Sequence, residues 1–267
     1  MPELAEVEFY RKQWRRGLKQ KILAVELHPG ARIFRGADIA ALRRALTGAA
    51  LLNCAAHGKQ LFFRFSGPAW LGLHLGLTGR LRVEPPRALP GRHDHLLLRQ
   101  RGQCLVFSDP RQFGRVRFHR GRAPPPWRRN LPAPILSNLF TPAAMDRFLR
   151  RHARSPLKAV LLMQQGFPGI GNWMADEVLW RAGLLPSRPA GSLKPAEAKK
   201  LYRELRRVCR GALRTVARDN GDPPPAWLFH RRWRRGGQCP RDGAPLRRAQ
   251  IGGRTTCWCP CCQKEGV

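Results

Sequence analysis

Between residues 22 and 118 the apolar residues fall into short runs: 22–27, 51–56, 61–65, 70–77, 81–83, 95–98, 105–107 and 116–118. Turn formers such as Gly58, Gly67, Gly79, Gly102 and Pro110 separate them. Several short apolar or alternating runs at this spacing predict strands packed as a sandwich. One helical insertion is expected over 38–47, starting at Asp38. A helix is also expected at the start, where Leu4, Val7, Trp14 and Leu18 stand among charges.

The second half reads differently. Pro124, Pro125, Pro126, Pro132 and Pro134 mark a linker or chain crossing. Thr141 caps a helix reaching about Arg151. Ser155-Pro156 starts another through Gln165, with Pro at the first helical position. Residues 166–171 form a tight turn, and 172–182 are helical. Pro195 to about Arg218 is a long helix, with Leu201, Leu205, Val208, Ala212 and Val216 as a core stripe. A proline-rich loop over 219–225 precedes a basic, cysteine-bearing tail. The expected fold is α+β, with four segments. These are an N-terminal sandwich domain over 1–122, a linker over 123–140, a helical domain over 141–225 and a finger-like tail over 226–267.

The chain has 267 residues, 50 Lys and Arg against 17 Asp and Glu, and a formal net charge of +33. So large an excess cannot pair internally and implies a polyanion; arginine favours phosphate forks. Hydrophobic residues at 43% allow a full core and argue against wholesale disorder. No apolar stretch of ~18 residues predicts a membrane span, and the first twenty residues lack a secretory core. An intracellular protein, in cytoplasm or nucleoid, is expected. The singly placed Cys54, Cys104 and Cys209 suit reduced thiols.

Four constellations carry chemistry. The opening Met1-Pro2-Glu3-Leu4-Ala5-Glu6-Val7-Glu8 offers a secondary amine beside a carboxylate once Met1 is removed. Such an amine forms an iminium directly at a sugar C1′, the electron sink that elimination needs. The same residues also suit ordinary helix-start chemistry, with Pro in the first turn. In the tail, Cys259 and Cys262 form a Cys-x2-Cys knuckle, and Cys239 is followed by Asp242 where a second thiolate is usual. Cys239, Asp242, Cys259 and Cys262 thus make a Cys3Asp set for one structural Zn2+. Cys257 or Cys261 are alternatives to Asp242, and a finger folding without metal is another reading. Residues 166–172 offer helix-start N–H groups, with Asn172 in the first turn, to a phosphate. Packing of two helices explains those glycines equally well. Residues 109–114 place Arg111 and Phe113 on a loop suited to wedging into a base stack; an exposed turn with a chance Phe is the plainer reading.

Taken together, the motifs resemble the formamidopyrimidine-DNA glycosylase / endonuclease VIII family. They are Pro2–Glu8, Gly58-Lys59, His74 to Gly79, His93-Asp-His95, Asp109 to Gly114, Gly169 to Asn172 with Ala175-Asp176-Glu177, and Gly252-Gly-Arg254-Thr-Thr. They run in family order over almost the whole chain. The resemblance implies an N-terminal β-sandwich, a helix–two-turns–helix domain and a C-terminal hairpin finger. It also implies a monomeric enzyme that removes oxidised bases from duplex DNA and then cleaves the abasic site. Pro2 would attack C1′ of a flipped nucleotide; Glu3 would protonate the ring oxygen and shuttle protons. Glu6 would support that end of the helix. Lys59, Asn172 and Arg254 would grip phosphates, with Lys59 also assisting elimination and His74 in the same shell. Leu77, Arg111 and Phe113 would fill the gap left by the flipped base.

The sequence departs from the family pattern at several places. Leu77 stands where methionine is usual, an exchange between apolar wedges of similar size. Ala5 replaces a proline, Trp173-Met174 replace the common Ile-Tyr, and Asp242 replaces a cysteine. The 219–225 loop is proline-rich where the family often has a longer Ser/Thr/Gly-rich one, which makes 8-oxoguanine a weaker inference than base removal. The Arg111-x-Phe113 loop favours the purine-lesion branch. The alternatives are an oxidised-pyrimidine enzyme and a non-catalytic damaged-DNA binder.

Overall fold

The computed structural model describes residues 1–28, 30–233 and 236–264. Positions 29, 234–235 and 265–267, which fall in the expected first domain and tail, lie outside the described residues. The chain divides into two compact units: Met1–Pro2 with Glu6–Leu131, and Glu3–Ala5 with Pro132–Val267.

The first unit holds α1 (Leu4–Arg15, from Glu6 onward), β1 (Ala24–Leu27), α2 (Ile39–Leu46), β2 (Leu51–His57), β3 (Gln60–Phe65), β4 (Ala69–His74), β5 (Arg80–Glu84), β6 (Asp94–Arg99), β7 (Cys104–Ser108), β8 (Arg115–Arg120) and α3 (Pro126–Arg129). Two four-stranded antiparallel sheets form, ordered β1-β6-β7-β5 and β2-β3-β4-β8. The period-two alternation explains the core. Leu61, Phe63 and Phe65 of β3 and Leu71 and Leu73 of β4 point inward, meeting Leu96, Leu98, Leu105 and Phe107 of the other sheet in one cluster. Val7, Tyr10 and Trp14 add the apolar stripe of α1 to it. Asp38 caps α2 by accepting the Ala41 N–H at 2.9 Å.

Some boundaries differ from expectation. Helix α1 starts at Leu4, so Pro2 precedes it instead of sitting in its first turn. It ends at Arg15, and Leu18 packs on the core from the following turn. The expected strand 70–77 stops at His74, because Gly76 turns the chain at φ +62°. The proline-rich crossing carries the short helix α3, with Pro126 in its first turn.

The second unit holds α4 (Pro142–Arg151), α5 (Leu157–Leu161), α6 (Asn172–Ala182), α7 (Pro195–Arg214), α8 (Val216–Asp219) and a hairpin of β9 (Arg247–Ile251) and β10 (Arg254–Trp258). Thr141 caps α4 through its hydroxyl, at 3.1 Å from the Ala144 N–H. Helix α6 is buried on nearly all sides and ends at Gly183, in the left-handed region at φ +73°. Helix α7 buries Leu201, Leu205, Val208 and Ala212. It breaks at Thr215, whose hydroxyl turns back to the Gly211 carbonyl, so the expected single helix is two. Helix α5 is shorter than expected. Pro156 is its N-cap and it ends at Leu161, after which Gln164 makes the bonds of a turn.

Candidate active site

Each unit holds its own set of candidate groups. In the second, Glu3 is the central one. It is 3% exposed, and its carboxylate accepts three backbone N–H bonds: Gly171 at 3.0 Å, Trp173 at 3.0 Å and Met174 at 3.1 Å. These are the orphan donors at the start of α6, so a carboxylate satisfies them and the helix dipole favours its charge. The sequence reading offered the same N–H groups to a phosphate; the structure gives them to Glu3. The glycines are explained by this contact. A Cβ on Gly171 would lie 2.2 Å from Glu3 Cδ, and Gly169 sits at φ +92° while its carbonyl accepts the Leu4 N–H. Gln164 holds the turn by accepting from the Gly169 N–H and donating to the Ile170 carbonyl.

Asn172, the first residue of α6, donates through Nδ2 to the Thr255 carbonyl at 3.0 Å. Its Oδ1 is buried without a partner among the described residues. That bond joins Asn172 to the residue after Arg254, which stands exposed at the head of β10. The β9–β10 turn is Gly252-Gly253, both at positive φ, and a Cβ on Gly252 would meet Ala159 of α5 at 2.7 Å. Asn172 and Arg254 are therefore held in one place by a two-glycine turn.

Beneath them lies a buried network that sequence reasoning did not assign, although Asp176 stood in one of its motifs. Asp176 is fully buried and accepts from Lys158 Nζ, Arg232 Nη2 at 2.7 Å and the Cys257 N–H at 3.2 Å. Lys158 also donates to the Asn172 carbonyl at 2.7 Å. The network ties α5, α6, the segment at 232 and β10 together. A lone lysine inside the apolar run 157–162 was the available signal.

In the first unit, Pro2 is half-buried and Met1 exposed. Glu6 lies half-buried in the first turn of α1. Lys59 sits at the tip of the β2–β3 hairpin, where His57 pairs with Gln60 and Gly58 adopts φ +56°. It is nonetheless 8% exposed. His74 Nδ1 accepts the Gly76 N–H at 3.0 Å, which leaves Nε2–H as the free donor. Burial and the charges of Lys59, Arg117 and Arg35 lower its pKa, so the ring is held neutral.

Leu77, Arg111 and Phe113 stand on two loops locked to each other. Thr78 Oγ1 donates to Asp109 Oδ1 at 2.6 Å, and Asp109 Oδ2 accepts the Gly114 N–H at 2.7 Å. A Cβ on Gly76 would lie 2.4 Å from the Phe113 backbone. Gln112, at φ +51°, accepts the Arg32 N–H. Arg111 and Phe113 are exposed, with the guanidinium 4.9 Å from the ring centre. The loop thus presents an exposed cation and ring on a backbone already ordered by its own hydrogen bonds.

The tail brings Cys239, Asp242, Cys259 and Cys262 together, with one ligand atom from each within 4.8 Å of the others. Neither Cys257 nor Cys261 joins them. Cys257 faces the Asp176 network, where burial raises its thiol to about 11, and Cys261 is exposed. The donor chemistry fits a metal ion. Thiolates at about 2.3 Å around a tetrahedral ion stand ~3.8 Å apart, and Cys239 and Cys262 Sγ are 3.8 Å apart. Asp242 Oδ2 lies 3.3 Å from Cys259 Sγ and 3.0 Å from Cys262 Sγ. The Cys262 and Cys239 thiols and the Ala244 N–H hold the Asp242 carboxyl well below its usual range. Trp180 Nε1 donates to Cys239 Sγ at 3.3 Å, an outer-shell bond that orients the sulfur.

Residues 1–116 match the family model described as the formamidopyrimidine-DNA glycosylase N-terminal domain, and residues 132–220 the one described as the formamidopyrimidine-DNA glycosylase H2TH domain. The chain is 38% identical over 279 residues to the formamidopyrimidine-DNA glycosylase of Thermus thermophilus, covering 100% of both. It also resembles the Lactococcus lactis formamidopyrimidine-DNA glycosylase solved non-covalently bound to DNA containing an abasic site. The TM-score is 0.87 at 25% identity, covering 98% of this chain and 100% of that one. The same L. lactis protein solved with DNA containing FAPY-dG matches equally, at TM-score 0.87 and 25% identity over the same shares. This chain belongs to the formamidopyrimidine-DNA glycosylase family.

Proposed function

We propose that this chain is a base-excision-repair glycosylase for oxidised bases in duplex DNA, of the formamidopyrimidine type, that also cleaves the resulting abasic site. The observation that carries the reading is Glu3. It is a buried carboxylate fastened to the α6 N-terminus by three N–H bonds, one residue after Pro2. So rigid an anchor beside a terminal secondary amine suits a reacting group, since catalysis rewards fixed geometry.

Once Met1 is removed, the Pro2 nitrogen attacks C1′ of the flipped nucleotide, and the bond to the damaged base breaks. The Glu3 carboxylate takes the proton that the Pro2 nitrogen loses on attack and passes it to the sugar ring oxygen, which opens the ring and leaves an iminium on Pro2. The iminium acidifies the C2′ hydrogen; its loss expels the 3′ phosphate, and a second elimination expels the 5′ phosphate. Glu3 carries protons in these steps and Lys59 assists the elimination. Lys59, His74 through Nε2–H, Asn172 and Arg254 hold the phosphates beside the lesion. Leu77, Arg111 and Phe113 fill the vacated stack, and Glu6 supports the start of α1. Cys239, Asp242, Cys259 and Cys262 hold one structural zinc that keeps the hairpin bearing Arg254 folded.

The test is covalent trapping. Processed protein incubated with an abasic duplex and borohydride is expected to give a stable adduct. Pro2→Gly is expected to lose trapping more than it loses binding to the same duplex, and protein retaining Met1 to bind it and give no adduct. An untrappable processed protein would refute the lyase chemistry. A panel of formamidopyrimidines, 8-oxoguanine and thymine glycol in defined duplexes then ranks the lesions.

A further inference from the structure

The outer face of the β2-β3-β4-β8 sheet carries cations that the functions above do not use. Strand pairing sets Gln60, His74 and Arg115 in one row across the sheet, and Phe62, Gly72 and Arg117 in the next. A pocket of about 290 Å³ opens over these rows, walled by Arg35, Arg115, Arg117, His74, Phe113 and Trp127 among others, with no acidic residue lining it. Its aromatic wall is fixed. Trp127 of α3 stacks on Phe62 at 5.6 Å and 13°, and a Cβ on Gly72 would lie 2.8 Å from the indole. Among the described residues, Arg35 donates to the carbonyls of Arg32 and Gly114. Arg117 is partly desolvated beside Arg115, and both effects lower its pKa.

Like charges gathered in a walled pocket without a carboxylate disfavour the free protein, and an anion relieves them. We propose that this pocket is a further phosphodiester subsite for DNA, in which Arg115 and Arg117 grip a backbone phosphate beyond those held by His74 and Lys59, with Trp127 as the wall against its sugar. The occupant is DNA because the pocket is continuous with the Phe113 loop and His74, and because two arginines two residues apart on one strand face project side by side. The inference rests on the DNA-binding reading above.

The experiment measures binding to a duplex with an abasic-site analogue as a function of salt, by fluorescence anisotropy, for wild type and for Arg115→Gln/Arg117→Gln. Each phosphate contact contributes about 0.9 to the slope of log K against log salt. The double variant is expected to flatten that slope by roughly 1 to 2, while its melting temperature stays level or rises because the repulsion is gone. Arg117→Lys is expected to keep the slope. Should the double variant melt lower, Arg115→Gln alone, at an exposed position, carries the test with an expected loss of about 0.9. An unchanged slope in the double variant, beside a wild type that binds the duplex with the usual salt dependence, overturns the subsite alone. A wild type with no salt-dependent binding to the duplex overturns both the subsite and the function it rests on.

Discussion

Glu3 and Gly171 show how one contact explains two motifs far apart in sequence. The Glu3 carboxylate occupies the N-terminus of α6 at a distance no side chain at position 171 would tolerate. Gly171→Ala is therefore expected to displace Glu3 and break its N–H bonds, a loss of roughly 2–4 kcal/mol from strain and unsatisfied donors. Chemical denaturation measures that loss, and borohydride trapping should fall with it; an Ala variant of wild-type stability would contradict the account. Pro2 and Glu3 were legible in the sequence as chemistry, because amine and carboxylate are properties of residue types. Their anchor was not. That Glu3, and no phosphate, fills the helix end depends on a partner 168 residues away.

At the scale of elements, the caps were readable and the interruptions were not. Asp38 and Thr141 act on donors three residues ahead, so local sequence suffices. The shortening of α5 depends on Gln164 bonding to residues of the next turn, and the break at Thr215 on a hydroxyl turning back; helical periodicity records neither. The β9–β10 hairpin turns at Gly252-Gly253, and its metal knuckles were marked by cysteine spacing. The choice among Asp242, Cys257 and Cys261 needed the third dimension, since strand alternation alone left Cys257 eligible. Asp242→Cys completes four thiolates and is expected to slow zinc loss to a chelator, read by a colorimetric indicator. Asp242→Ala is expected to speed it. Equal release from all three proteins would show that Asp242 is not a ligand.

For the whole molecule, the +33 charge names the partner class, and two-period and helical patterning name the layers. Among the described residues no helix is long and apolar enough to cross a membrane. Stability against pH carries one sign that composition cannot supply. Glu177 is fully buried, and desolvation raises its pKa to about 7 despite Arg181 and the Phe229 N–H. The folded chain then keeps a proton that the unfolded chain loses near 4.5, so stability falls as pH rises from about 4.5 to 7, by up to roughly 1.4 kcal/mol per unit. Glu177→Gln should flatten the dependence of the melting temperature on pH in that window, and a profile as steep as wild type would contradict it. The sequence by itself determined the reactive types, the turn positions and the alternation that buries one face of each strand, because these act over a few residues. Tertiary structure alone decided which donor meets which acceptor: Glu3 on α6, Asn172 on the strand of Arg254, Asp176 between Lys158 and Arg232, and Asp242 among three thiols. Buried polar groups must find partners wherever the fold brings them, and that pairing is a property of the packed chain.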